Sequence, residues 1–161
     1  MYIVLKIVYL RVTFKPVSPL SCSRMHEWAL AESILFAAVE AAEKEKFKKI
    51  TEIHVEIGEL QQIAMDAFEF ALGEIIAEQG GILKGVKIHF KTEEGKLVCN
   101  NCKHEWSFSD MRKKLNEDQG ESIHFIPEVA FVHSRCPKCN SPDFEISKGR
   151  GVSILSIKGE R

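Results

Sequence analysis

The stretch KKITEIHVEIGEL, residues 48–60, alternates in polarity: Ile53, Val55 and Ile57 fall on one side, Glu52, His54 and Glu56 on the other. Successive side chains of an extended strand point to opposite faces, so this period predicts a half-buried strand ending near Gly58. The segments on either side change period. Residues 28–47 place Trp28, Ala31, Leu35, Ala38 and Ala42 on one stripe, widened by Leu30, Ile34 and Val39, opposite a polar face with Glu32, Glu40 and Glu43. That spacing predicts an amphipathic helix docked on a core. After the strand, AMDAFEFALGEIIAEQGG (residues 64–81) returns to helical period through Ala64, Phe68, Ala71, Leu72, Ile75 and Ile76, and Gly80-Gly81 stops it.

Two further strands follow the same logic. VKIHFKTEE (86–94) turns Val86, Ile88 and Phe90 inward, and GVSILSIKGE (151–160) does so with Val152, Ile154 and Ile157. The expected fold class is therefore α/β: a small three-stranded sheet with two helices, built from residues 25–93 and 147–161. Between them, residues 94–146 differ in character. They hold four of the five cysteines, three of the six histidines, and Pro127, Pro137 and Pro142. This composition predicts an inserted, zinc-ribbon-like domain with its own metal-centred core.

The insert carries the strongest chemical signal. VCNNCKHEW and RCPKCNSPDF each contain a C-x-x-C pair, contributing Cys99, Cys102, Cys136 and Cys139. Two residues between cysteines let one tight turn aim both sulfurs inward, and two such turns complete a tetrahedron around Zn(II). Asn101 and Asn140 suit the left-handed backbone of such turns. A closed four-thiolate set leaves no open position for catalysis. The 33 residues from 103 to 135 are long for a plain ribbon and predict an excursion between the turns. His104 and His133 flank the cysteines and are expected to stand outside the ligand set.

Composition narrows the function. The net charge is −1, with 45% hydrophobic and 28% charged residues, and residues 95–148 balance eight Lys and Arg against eight Asp and Glu. No basic stretch tracks phosphates, so nucleic acid is not an expected partner. No apolar run reaches the ~18 residues needed to span a membrane. In residues 1–24 the apolar stretches are broken by Lys6, Arg11 and Lys15, unlike a secretory signal. They read either as an added edge strand or, preferably, as a non-native leader ahead of a true start at Met25. Cys22 lies alone in that leader. With no export signal, paired cysteines suggest metal in a cytoplasmic protein.

Met25-His26-Glu27 opens the first helix. The second histidine of an H-E-x-x-H zinc-protease helix would fall at residue 30, which is leucine, so that reading fails. A chain starting at Met25 would instead link its free amine, the His26 backbone nitrogen and the His26 ring in fused chelate rings. Such nitrogens lie in one plane, which suits square-planar Ni(II) or Cu(II) and not tetrahedral Zn(II).

Together, Met25-His26-Glu27, IGEL at residues 57–60, the two C-x-x-C pairs and the closing KGRGVSILSIKGE resemble the HypA/HybF nickel metallochaperones; SIHFIPE in the spacer resembles archaeal members. The resemblance runs from Met25 to near the C-terminus. It implies a carrier, not an enzyme, that delivers Ni(II) for maturation of [NiFe]-hydrogenase and, in some organisms, urease. It implies nickel ligands at Met25, His26, Glu27 and His124, and zinc ligands at Cys99, Cys102, Cys136 and Cys139. The implied partners are a HypB-type P-loop nucleotidase and the hydrogenase large subunit. Two rival readings are a zinc-ribbon adaptor without a nickel role and a redox protein using the C-x-x-C thiols.

Overall fold

The computed structural model describes residues 2–12, 23–61, 63–113 and 134–161. These described residues form two compact units, the first drawn from within residues 1–56, 63–91 and 152–161, the second from within residues 57–62 and 92–151.

In the first unit, α1 (Ser23–Lys44) contains neither glycine nor proline and is rich in alanine, the strongest helix former. Leu30, Ala31, Ile34, Leu35, Ala38 and Ala42 are buried along it. It ends where Lys46 turns to φ +60°, with Phe47 N–H donating to Ala42 O at 2.9 Å and Lys46 N–H to Glu43 O at 2.9 Å. This paired closure satisfies carbonyls that the last turn would otherwise leave without partners. Phe47 then packs over Gly159, where a Cβ would sit 2.4 Å from the ring. Trp28 departs from the expected buried stripe: it is 39% exposed and stands edge-on to another exposed ring, Phe70, at 6.3 Å. Ala31, about one turn further along, is fully buried on the inward face.

Strand β2 (Lys49–Gly58) buries Ile53, Val55 and Ile57 as the alternation requires. Helix α2 (Met65–Gln79) buries Phe68, Ala71, Leu72 and Ile75 and packs against α1; its Phe68 ring lies 5.8 Å from Phe90 of β3 (Lys87–Glu93). Gly80 and Gly81, at φ +54° and +55°, stop α2 in a conformation that other residues adopt at a cost. The last strand of the chain, β7 (Val152–Glu160), lies beside β2 in the order β1-β7-β2-β3. The three expected strands are thus neighbours. Strand β1 (Tyr2–Val12) adds a fourth, antiparallel to β7, with Tyr2 opposite Glu160 and Val12 opposite Val152.

In the second unit, β4 (Lys96–Cys99) is the central strand between β5 (Glu105–Ser107) and β6 (Phe144–Lys148), antiparallel to both. A short helix, α3 (Phe108–Arg112), begins with the Ser107 hydroxyl accepting the Asp110 N–H at 3.1 Å. Leu60, Leu97, Phe108, Met111 and Phe144 form an apolar core flanked by Trp106 and Ile146. The unit therefore rests on hydrophobic burial as well as on its cysteines.

Three glycine backbones meet in this unit. A Cβ on Gly58 would lie 2.3 Å from the Gly149 carbonyl, one on Gly149 would lie 2.4 Å from Gly95 Cα, and one on Gly95 would lie 2.7 Å from Phe108 Cβ. Carboxylates hold the crossing together: Glu59 accepts the Gly95 N–H at 2.8 Å and Glu93 accepts the Gly149 N–H at 2.9 Å. This gives a physical reason for the glycines in IGEL and KGRG.

Candidate metal centre

Each C-x-x-C pair occupies a tight hairpin. Around the first, Cys99 N–H donates to His104 O at 2.9 Å and Lys103 N–H to Cys99 O at 3.0 Å; around the second, Cys136 N–H donates to Ser141 O at 2.9 Å and Asn140 N–H to Cys136 O at 2.9 Å. The residue after each second cysteine takes the left-handed conformation, Lys103 and Asn140 both at φ 58°. Asn140 fits the sequence expectation; in the first turn the position belongs to Lys103 and not to Asn101. Asn101 instead points its amide at Cys139 Sγ, 3.7 Å away.

The two turns face each other. Cys99 and Cys139 sulfurs are 3.5 Å apart and Cys102 and Cys136 sulfurs 3.6 Å, with all four within 4.8 Å of one another. Sulfurs bound at ~2.3 Å to one tetrahedral zinc lie about 3.8 Å apart. The thiols are free, not disulfide-bonded. Cys99 and Cys136 are buried, and the Cys102 N–H points at Cys99 Sγ at 3.5 Å. Four sulfur donors at tetrahedral spacing fit Zn(II). Crowding spreads their acidities. A backbone hydrogen bond from Ser141, with the neighbouring sulfurs, brings Cys139 down to about 6. At Cys102 a backbone hydrogen bond from His104 acts downward, but desolvation and the three neighbouring sulfurs outweigh it and push the thiol up to about 12.

His104 lies outside the sulfur set, its ring stacked on Trp106 at 6.1 Å; His133 falls outside the described residues, as does His124. Met25 and His26 stand, by their backbone, in the first turn of α1. Glu27 is buried, with 3% of its surface exposed. Its Oε1 accepts the N–H of Ala64 at 3.2 Å, while Oε2 has no hydrogen-bond partner among the described residues. Ala64 precedes α2 and has no side chain able to cap it. Glu27 therefore complements the start of α2, a helix distant in sequence, through an atom that sequence spacing could not assign.

A second polar cluster escaped the sequence reading. On the face of β2 opposite Ile53 and Val55, Glu52 and His54 meet His89 of β3. Lys158 Nζ of β7 reaches Glu52 Oε2 at 2.8 Å. Its hydrogen bond, then that of His54, holds the Glu52 carboxyl below the usual carboxylate range. The alternation assigned Glu52 and His54 to one face, but only strand pairing brings His89 to them.

Comparison with known proteins places these features in context. Residues 25–159 match the family model described as hydrogenase/urease nickel incorporation, metallochaperone, hypA. Hydrogenase maturation factor HypA of Pyrococcus horikoshii is 46% identical over 137 residues, which is 85% of this chain and 97% of that protein. The protein of the same description from Pyrococcus abyssi is 47% identical over the same shares. Among solved structures, the solution structure of the nickel metallochaperone HypA from Helicobacter pylori aligns with a TM-score of 0.55 at 22% identity, covering 83% of this chain and 97% of that one. At that identity the likeness speaks to the fold. No helix among the described residues is long and apolar enough to cross a membrane.

Proposed function

Because the chain belongs to the HypA family of hydrogenase/urease nickel-incorporation metallochaperones, we propose that it binds Ni(II) at the start of α1 and hands it on for maturation of [NiFe]-hydrogenase in the cytoplasm. Nickel is cargo here, so the site must be exchangeable. His26 supplies the ring nitrogen and backbone nitrogen, Met25 its own nitrogen, and Glu27 and His124 the remaining donors. The observation that carries this reading is Glu27: a buried carboxylate with one oxygen fixed on Ala64 N–H and the other without a partner among the described residues. A buried carboxylate oxygen left unpaired is costly, and a cation in reach relieves that cost.

The resident metal in this reading is zinc, held by Cys99, Cys102, Cys136 and Cys139. Bound there, it cross-links two hairpins and supplies no reactive position, which is in keeping with a carrier without catalytic chemistry. The chain then passes nickel in concert with a HypB-type P-loop nucleotidase to the hydrogenase large subunit.

Nickel titration of zinc-loaded protein tests the reading against that of a zinc-ribbon adaptor. His26→Ala should abolish the planar nickel site and leave zinc content and unfolding temperature unchanged. His124→Ala should weaken nickel binding only in part, because water or Glu27 can fill its position. Equal nickel affinity in native protein and His26→Ala would remove the nickel role at this site.

A further inference from the structure

We propose that Glu52, His54 and His89 form a second site for a divalent transition-metal ion on the open face of the first unit's sheet. The proposal is independent of the nickel reading at α1. Glu52 and His54 are two residues apart on β2 and therefore share a face; β3 lies beside β2 and brings His89 to the same place. His54 Nε2 lies 3.1 Å and His89 Nε2 3.6 Å from a single oxygen, Glu52 Oε2, and one donor atom from each residue lies within 4.8 Å of the others.

Those spacings fit a shared ion. Donors held ~2.1 Å from one metal lie about 3.0 Å apart at right angles and about 3.4 Å apart at tetrahedral angles. The imidazole rings are already aligned, 4.7 Å between centroids and 20° from parallel. Two imidazoles and a carboxylate are the donor set of borderline ions such as Ni(II), Cu(II) or Zn(II), and differ in kind from the all-sulfur cluster of the second unit. The face is open: the side chains of His54, His89 and Glu52 are 33%, 49% and 30% exposed. Three donors on one side leave the outer positions to water, so an ion can enter and leave. Lys158 is the competitor, since its ammonium now occupies part of the Glu52 carboxylate. It sits at the end of a flexible, partly exposed side chain and can swing aside as the cation arrives.

Ni(II) added to full-length, zinc-loaded protein tests this by nuclear magnetic resonance. Three nitrogen and oxygen donors completed by water make nickel six-coordinate and paramagnetic, unlike a planar nitrogen site. The ring signals of His54 and His89 should broaden. Glu52→Gln keeps the side chain's size and should raise the nickel concentration needed at least ~10-fold. Lys158→Met, which removes the competing cation, should lower it. His26→Ala should leave the broadening as it was, which separates this site from the one at α1. Ring signals that stay sharp up to about 1 mM nickel, or equal broadening in native protein and Glu52→Gln, would overturn the proposal.

Discussion

Glu27 of α1 accepts the backbone N–H of Ala64, at the foot of α2, at 3.2 Å. One carboxylate thus ties together the N-terminal ends of two helices that are separated by a strand. Glu27→Ala removes the acceptor for an orphan helix-start N–H and should destabilise the first unit by about 1–2 kcal/mol. Glu27→Gln retains an acceptor oxygen and should cost under about 1 kcal/mol. The same Gln variant loses the charge that would face nickel at the proposed site, so its nickel affinity should fall more than its stability. Denaturant unfolding and nickel titration of both variants decide the matter. Stability of Glu27→Ala equal to native would mean that the hydrogen bond carries no weight.

The glycines should differ sharply under the same substitution. Gly149 has φ +87°, and an added Cβ would lie 2.4 Å from Gly95 Cα, which is backbone and cannot turn away. Gly149→Ala should cost roughly 3 kcal/mol or more and open the second unit. Gly73 lies inside α2 with nothing within 4 Å of its missing Cβ. Gly73→Ala should stabilise by about 0.5–1 kcal/mol, because alanine has less backbone freedom to lose. Hydrogen exchange at β4 amides reports the first and thermal unfolding the second. A Gly149→Ala protein with native exchange rates would refute the close crossing.

How much of this was legible beforehand follows from where the information resides. The period of residues 48–60 is local, so Ile53, Val55 and Ile57 could be assigned to the core from sequence. So could the C-x-x-C turns, since each is closed by bonds within a few residues, such as Lys103 N–H to Cys99 O. Trp28 was misread because the helical period cannot tell a buried aromatic from one at the margin of the stripe. The Glu52–His54–His89 cluster, the Glu27–Ala64 bond and the Gly58–Gly149–Gly95 crossing join segments distant in the chain, and nothing local encodes them. Of the excursion expected between residues 103 and 135, residues 114–133, with His124, lie outside the described residues.

Zinc uptake should follow the thiol acidities. With Cys139 near 6 and Cys102 near 12 in the metal-free cluster, at about pH 7.5 the first is already a thiolate and the second still a thiol. Zinc binding should therefore release at least one proton but not four. Lowering the pH toward the Cys139 value protonates it, so one more proton must leave and apparent affinity falls with acid. Calorimetry in two buffers of different ionisation heat counts the protons. A release of four would mean that Cys139 is not ionised beforehand, and an affinity indifferent to acid would contradict thiolate ligation.

Removing the proposed zinc ligands should loosen only what depends on them. Cys136→Ser with Cys139→Ser takes away one hairpin's donors, so metal content should fall well below about one zinc per chain. The first unit has its own buried core in Leu35, Ile53, Phe68 and Ile154 and should keep its exchange protection. Full zinc content in the double variant would exclude the four-cysteine site.

Nickel affinity should depend on whether the Met25 nitrogen is a peptide nitrogen or an amine. In the 161-residue chain it is a peptide nitrogen in the first turn of α1, and a peptide N–H must lose a proton before it can bind a metal. In protein made to begin at Met25 it is an amine, whose proton is far more readily displaced. Its lone pair then joins the His26 backbone and ring nitrogens in fused chelate rings, the arrangement that favours planar nickel. The shortened protein should show the absorption of a diamagnetic planar nickel complex and bind nickel at least ~10-fold more tightly than the full chain. Strand β1 pairs with β7, so the shortened protein also loses an edge strand. Its unfolding and zinc content must be measured alongside, to separate a lost fold from a gained ligand. If both forms fold and bind nickel equally, the amine is not a ligand. The donors would then be the His26 ring, the backbone nitrogens and the free oxygen of Glu27.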